Sequence, residues 1–192
     1  MPFTDNEYYK AELAMGISFE NATYVQMMRD VYDRIMNTFH PKSVLEIGAG
    51  MGVLGSHFTA NRELYYLGIE PNIYHVNEAC RHSVALIHPD TFMADVPQAY
   101  DIVICIEVFE HLKMKQIMDY LNALQESPLW IFSSTSELTN PAFDEQWGHI
   151  NVLDPDDWIH LFHGFGYRLG TVWDVPTKNT MIFQKNDGHD QA

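Results

Sequence analysis

Hydrophobic positions along this chain follow two rhythms. Between Glu20 and Phe39 the residues Tyr24, Met28, Val31, Ile35 and Phe39 fall three or four apart, which predicts one amphipathic helix. His40-Pro41 ends it, because the residue before a proline avoids the helical region. Residues 1–19 show no clear period. Beyond Pro41, short apolar runs alternate with helix-length segments. "SVLEIG", "LYYLGIE", "DTFMAD", "YDIVICIE" and "LWIFSS" read as five strands, with helices over about 51–60, 73–86 and 112–124. Strands that are apolar almost throughout, separated by helices, imply a parallel sheet covered on both faces.

The C-terminal part changes texture. Asp154 is placed to cap a helix, Pro155 suits its first position, and Asp156 and Asp157 suit the positive end of its dipole. That helix runs to about His163. "YRLGTVW" and "TMIFQ" follow, joined by "DVPTKN", too short for a parallel crossover, so they should pair antiparallel. Ser133–Asn151 reads as a long irregular loop of the kind that tends to be functional.

With 192 residues, 46% of them hydrophobic, one domain with a sizeable core is expected. The formal net charge of −15 argues against nucleic acid as a partner, since phosphate recognition leans on clustered Lys and Arg. Cys105 lies in an apolar run and reads as an inert core thiol rather than half of a disulfide with Cys80. "MPFTDNEYYK" lacks the basic and apolar regions of a signal peptide, and no run reaches membrane-spanning length. The expectation is a cytoplasmic protein with no membrane partner; the oligomeric state is left open.

"VLEIGAGMGVLG" carries two overlapping signatures. Gly50, Gly52 and Gly55 spell the dinucleotide pattern G-x-G-x-x-G, whereas Glu46, Gly48, Gly50 and Gly52 spell E-x-G-x-G-x-G. Either way a glycine turn links the first strand to the first helix after it, where backbone N–H groups can meet a ligand. Two features favour the second pattern. Gly48 and Ala49 intervene between strand and Gly50, and Glu46 would repel a pyrophosphate but suits a ligand carrying a sulfonium and an ammonium. Glu70, at the end of the second strand, fits both, because each cofactor offers a ribose diol there.

"VLEIGAGMG", "YLGIEPN", "MADVP" and "DIVICIEVFEHL" stand in the order and spacing of the class I S-adenosylmethionine-dependent methyltransferases, which the chain resembles from Ser43 to Gln184. The resemblance implies an α/β fold: a single Rossmann-like domain with a mostly parallel seven-stranded sheet, an antiparallel last strand and helices on both faces. It divides the chain into an N-terminal segment and helix (1–42), a cofactor-binding core (43–185) and a tail (186–192). It also implies that Glu46 sits near the methionine end of the cofactor. Gly48, Gly50 and Gly52 would line it, Glu70 would bind the ribose hydroxyls, and Ala94 and Asp95 would meet the adenine. Ile106, at the end of the fourth strand, completes that set.

The acceptor should lie beyond the strand ends. Asn-Pro-Pro-aromatic and Pro-Cys, which mark base-methylating enzymes, are absent after the fourth strand. "EVFEHL" instead resembles the E-V-x-E-H stretch of two groups of oxygen methyltransferases, one acting on ubiquinone precursors and one on the terminal 2′-hydroxyl of small RNAs. By resemblance to the second group, Glu107, Glu110, His111 and His149 could hold a divalent metal that lowers the pKa of a hydroxyl acceptor. His149 is the first candidate for general base, His111 the second, with Glu107 beside them. A hydroxyl-bearing small molecule is the favoured acceptor. The alternatives are a metal-assisted RNA ribose methyltransferase, which the acidity disfavours, and a regulatory protein that binds S-adenosylmethionine without turnover. Tyr8, Tyr9, Phe143 and Trp147 could form an aromatic lid, Trp147 could equally be core, and His160 and His163 read as polar residues near a helix end.

Overall fold

A computed structural model describes residues 2–94, 99–134, 141–177 and 179–186. Their strands form a seven-stranded, mostly parallel sheet with helices around it, as the apolar runs require. The chain divides into two compact units, Met1–Val96 and Pro97–Ala192.

The first unit runs α1 (Asp5–Ala14), α2 (Ala22–Phe39), β1 (Ser43–Ile47), α3 (Val53–Thr59), β2 (Tyr65–Ile69), α4 (Ile73–Arg81), β3 (Leu86–Ile87) and α5 (Pro89–Ala94). Its strands are parallel in the order β3-β2-β1, with Leu45 opposite Leu67 and Ile69 opposite Ile87. The α2 stripe buries Met28, Val31 and Ile35, as its period predicts. Asn21 caps this helix by accepting from the N–H groups of Thr23 and Tyr24.

Two expectations fail here, and a segment without a clear period turns out to be helical. Residues 1–19 contain α1, which the sequence announces only through a capping box: the Thr4 hydroxyl accepts from Glu7 N–H while the Glu7 carboxylate accepts from Thr4 N–H. "DTFMAD" is not a strand. Its described part lies in α5, where Pro89 and Asp90 open a helix and Phe92 is the one buried side chain. The third strand is Leu86–Ile87, whose first residue is the expected end of the preceding helix; that helix stops at Arg81, two residues before Ser83 takes a left-handed φ of 63°. A two-residue strand is too short to show a period; only its pairing with β2 defines it.

The second unit runs β4 (Ile102–Ile106), a 3-10 turn (Phe109–His111), α6 (Met114–Ala123), β5 (Leu129–Ser133), α7 (Pro141–Trp147), α8 (Pro155–Gly164), β6 (Tyr167–Trp173) and β7 (Thr180–Lys185). β4 and β5 are parallel; β7 runs antiparallel to β5 and to β6, the pairing expected of the last two runs. Asp154 caps α8 through Asp157 N–H, with Pro155 at its start. The stretch read as an irregular loop contains α7, a departure from expectation. An aromatic core fills this unit: Phe162 stacks on Phe183 with ring centroids 4.0 Å apart, and Phe132 packs between Trp158 and Phe162. Cys105 is fully buried with its thiol pushed well up by burial, and both cysteines are free. Among the described residues no helix is long and apolar enough to cross a membrane.

Candidate active site

In the first unit, the turn after β1 holds Gly48, Gly50 and Gly52, all with positive φ. At Gly50 a side chain would meet nothing within 4 Å, so the backbone borders open space, and its φ of +53° is one that glycine adopts without strain. Gly50 N–H is held by Glu70 Oε2 at 2.9 Å. The other oxygen of Glu70 accepts from Asn72 N–H at 2.9 Å. Glu70 therefore shapes the glycine turn besides ending β2. Gly52, at the start of α3, is also needed for packing, since a Cβ there would press on Ala79 and Val84.

Gly55 explains why the two glycine signatures overlap. A Cβ at this position would lie 2.4 Å from the Tyr66 hydroxyl, which itself donates to Glu46 Oε2 at 2.5 Å. The third glycine of the dinucleotide-like pattern makes room for Tyr66 rather than for a phosphate. Burial pushes the Glu46 carboxyl up to about 8; the Tyr66 hydrogen bond opposes this and the Glu70 charge adds to it. Acids crowded this closely favour a cationic ligand. The glycine cradle and the acid pair thus fit S-adenosylmethionine. Ala94 is exposed at the end of α5, and Asp95 lies outside the described residues.

His75, which no sequence motif marks, is buried beside Glu70, with Nδ1 3.4 Å from Glu70 Oε1 and Nε2 2.7 Å from Glu12 Oε2. Burial lowers its pKa, but the two carboxylates outweigh that and raise it to about 9.

In the second unit, β4 ends at the half-buried Ile106. Glu107 follows with a left-handed φ of 54°, strained for a side-chain-bearing residue. Its Oε1 accepts from the Ser133 hydroxyl at 2.9 Å, and Ser133 in turn accepts from Thr177 at 2.7 Å. The next turn carries Glu110, fully buried, with Oε2 accepting from the Ser134 hydroxyl at 2.9 Å. The chain after α7 returns to this turn: the N–H groups of Ile150 and Asn151 both donate to the Glu110 carbonyl, at 2.6 and 3.0 Å. The Asn151 side chain also donates to the Leu112 carbonyl.

This return delivers His149. One ligand atom each from Glu110, His111 and His149 lies within 4.8 Å of the others, and the two imidazoles meet edge to face with centroids 4.8 Å apart. Glu107 is not in that group; its carboxylate is turned to Ser133. Burial, and secondarily the neighbouring His149, lower His111 to about 4, so its ring is neutral at neutral pH. Asp144, on α7 and buried, meets His149 Nδ1 at 2.8 Å. A carboxylate there keeps the proton of the neutral ring on Nδ1 and leaves Nε2 able to accept one or bind a metal. The sequence does not single out Asp144; its signal is D-x-x-x-x-H, weak without the helix that brings the two together. Phe143 and Trp147 lie 5.7 Å apart on α7, and Phe143 also faces His149; Trp147 is half-buried, not core. His160 and His163 are exposed on α8, as expected of polar residues near a helix end.

The seven-stranded fold is one shared with solved S-adenosylmethionine-dependent methyltransferases. Residues 21–172 match the family described as the methyltransferase domain, and the chain belongs to that family. A curated relative, the mitochondrial ubiquinone biosynthesis O-methyltransferase of Schizosaccharomyces pombe, is 29% identical over 115 residues, 55% of this chain. The match spans 40% of that relative's length. Among solved structures, magnesium protoporphyrin IX methyltransferase from Synechocystis PCC 6803 with bound S-adenosylhomocysteine superposes with a TM-score of 0.65. Its identity is 15%, over 86% of this chain and 84% of that one. The methyltransferase domain of bacterial CtHen1-C superposes with a TM-score of 0.60 at 16% identity, over 84% and 98%.

Proposed function

We propose that this protein transfers the methyl group of S-adenosylmethionine to a hydroxyl oxygen of a small molecule. The observation that carries the reading is the Asp144–His149 pair, delivered against His111 and Glu110 by the segment after α7. Methyl transfer from a sulfonium is an in-line displacement, so the protein's share is to position the acceptor and remove its proton. His149 is the base, with Asp144 fixing its tautomer and stabilising the positive charge that forms on the ring. The curated relative supports oxygen as the receiving atom, since its name describes an O-methyltransferase. The net charge of −15 weighs against an RNA acceptor.

The cofactor would be held by Gly48, Gly50 and Gly52 through backbone, by Glu70 at the ribose, and by Glu46 towards the methionine end; when bound it supplies the electrophilic methyl group. Glu110, His111 and His149 also suit a divalent ion, because burial keeps the His111 lone pair unprotonated and one carboxylate is present. Such an ion would supply Lewis acidity to the acceptor oxygen. The test is incubation with methyl-labelled S-adenosylmethionine and a metabolite extract, with and without chelator. Label in a methyl ether of a small molecule supports the reading. Bound cofactor with no labelled product indicates a binding protein without turnover, and label in RNA indicates the ribose reaction. Full activity in excess chelator removes the ion and leaves the acid–base pair.

A further inference from the structure

Helix α1 buries none of its residues. Tyr8, Tyr9, Ala11 and Glu12 are half-buried, and the contacts found are polar and aromatic, directed at residues 70–78. The Asp5 carbonyl accepts from the Asn72 side chain at 3.0 Å, and the Tyr9 hydroxyl donates to Glu78 at 3.4 Å. Tyr8 and Tyr9 flank the His75 ring, and Tyr9 stacks on Tyr74. Glu12 reaches His75 Nε2 at 2.7 Å while the other ring nitrogen faces Glu70. These contacts lie off the line of an ideal hydrogen bond, so charge attraction supplies the tie. This segment begins with the carboxylate that shapes the glycine turn.

We propose that His75 is a positioning residue that links docking of α1, through Glu12, to the cofactor carboxylate Glu70. The inference rests on the reading of Glu70 as the ribose ligand. An imidazolium between two carboxylates holds Glu70 towards Gly50 and Asn72 and draws Glu12, with its helix, onto α4. Removing either end loosens the other, and by linkage a ligand that fixes Glu70 also fixes α1. The groups facing His75 are Glu12, Tyr8 and Tyr9 from α1 and Glu70 from the β2–α4 connection. Glu78, one turn on in α4, is paired with Arg81 at 2.6 Å. Below about pH 9 the ring carries its charge and the link is present; it fades as pH rises through that value.

The test is amide hydrogen exchange over residues 5–14 of the full chain, with and without saturating S-adenosylhomocysteine, alongside calorimetric affinity. In the wild type the ligand should slow exchange of these amides by roughly 5-fold or more at pH 7, within the usual range of coupling between sites. The effect should be lost by about pH 10, where the ring is neutral. Glu12→Gln should abolish the slowing and weaken affinity by the same factor, while leaving the ligand bound at higher concentration. Binding without slowing in the wild type, or undiminished slowing in Glu12→Gln, overturns the link alone. Failure of the wild type to bind the ligand overturns the reading of Glu70 and the link with it. The wild-type pH series needs no variant, so a Glu12→Gln protein that failed to fold would leave the proposal exposed to refutation.

Discussion

His75 and His111 are both buried and both stand near glutamates, yet one is pushed up to about 9 and the other down to about 4. Burial acts on both in the same direction. The difference is the close partner: His75 has carboxylates at both ring nitrogens, whereas His111 faces another imidazole. The lesson is that residue type in a sequence does not state what a histidine does. In the first unit an imidazolium serves as a tie among acids that await a cation. In the second, burial leaves the ring neutral at neutral pH.

The largest expected effect falls at His149. His149→Ala should lower methyl transfer by roughly 10²–10⁴-fold, the usual share of a general base, and leave S-adenosylhomocysteine affinity unchanged. Single-turnover label transfer and calorimetry check the two halves of that statement; equal losses in both would mean the units do not divide the work. The complementary change, Glu70→Ala, should weaken S-adenosylhomocysteine binding by about 1–3 kcal/mol, because Gly50 and Asn72 N–H groups lose their acceptor. Calorimetry reads this directly, and unchanged affinity would remove Glu70 from the cofactor site.

Gly55→Ala probes the fold within the first unit. The added methyl meets the Tyr66 hydroxyl, so urea denaturation should show a loss of about 1–3 kcal/mol, and Tyr66→Phe should recover part of it. No loss would return Gly55 to the ligand-lining role that its motif suggests.

The subtlest test uses pH. His111 is lowered in the folded state, so the stability it confers is complete above 6.5 and is lost as pH falls towards about 4. His75 is raised, so its contribution is complete below 6.5 and is lost as pH rises through about 9. Thermal unfolding across pH should therefore lose its acid limb selectively in His111→Gln and its alkaline limb selectively in His75→Gln. The same limb vanishing in both variants would mean that the two rings are tuned alike.

Much of this was legible in the sequence because it lay in strong local signals. The α2 stripe, the apolar strands, the Asp154 cap and the glycine turn each occupy a short window with its own period or chemistry. The E-V-x-E-H segment and His149 were also readable, and the structure brings Glu110, His111 and His149 together while turning Glu107 to Ser133. What escaped depends on distant partners. Leu86–Ile87 is a strand only because β2 lies beside it, and α1 is held by polar contacts to residues some sixty or more positions away. His75 and Asp144 look ordinary until Glu12 and His149 are placed beside them.

On the reading proposed above, the acid pair and glycine cradle of the first unit await a cationic adenosyl ligand. Calorimetric titration with S-adenosylmethionine at pH 7, repeated in buffers of different ionisation enthalpy, tests it most directly. Glu46, raised to about 8, is largely protonated there, and a sulfonium beside it should draw it into the charged form. Binding accompanied by proton release is expected, with NADH giving no heat of binding. Binding of NADH, and none of S-adenosylmethionine, would contradict it.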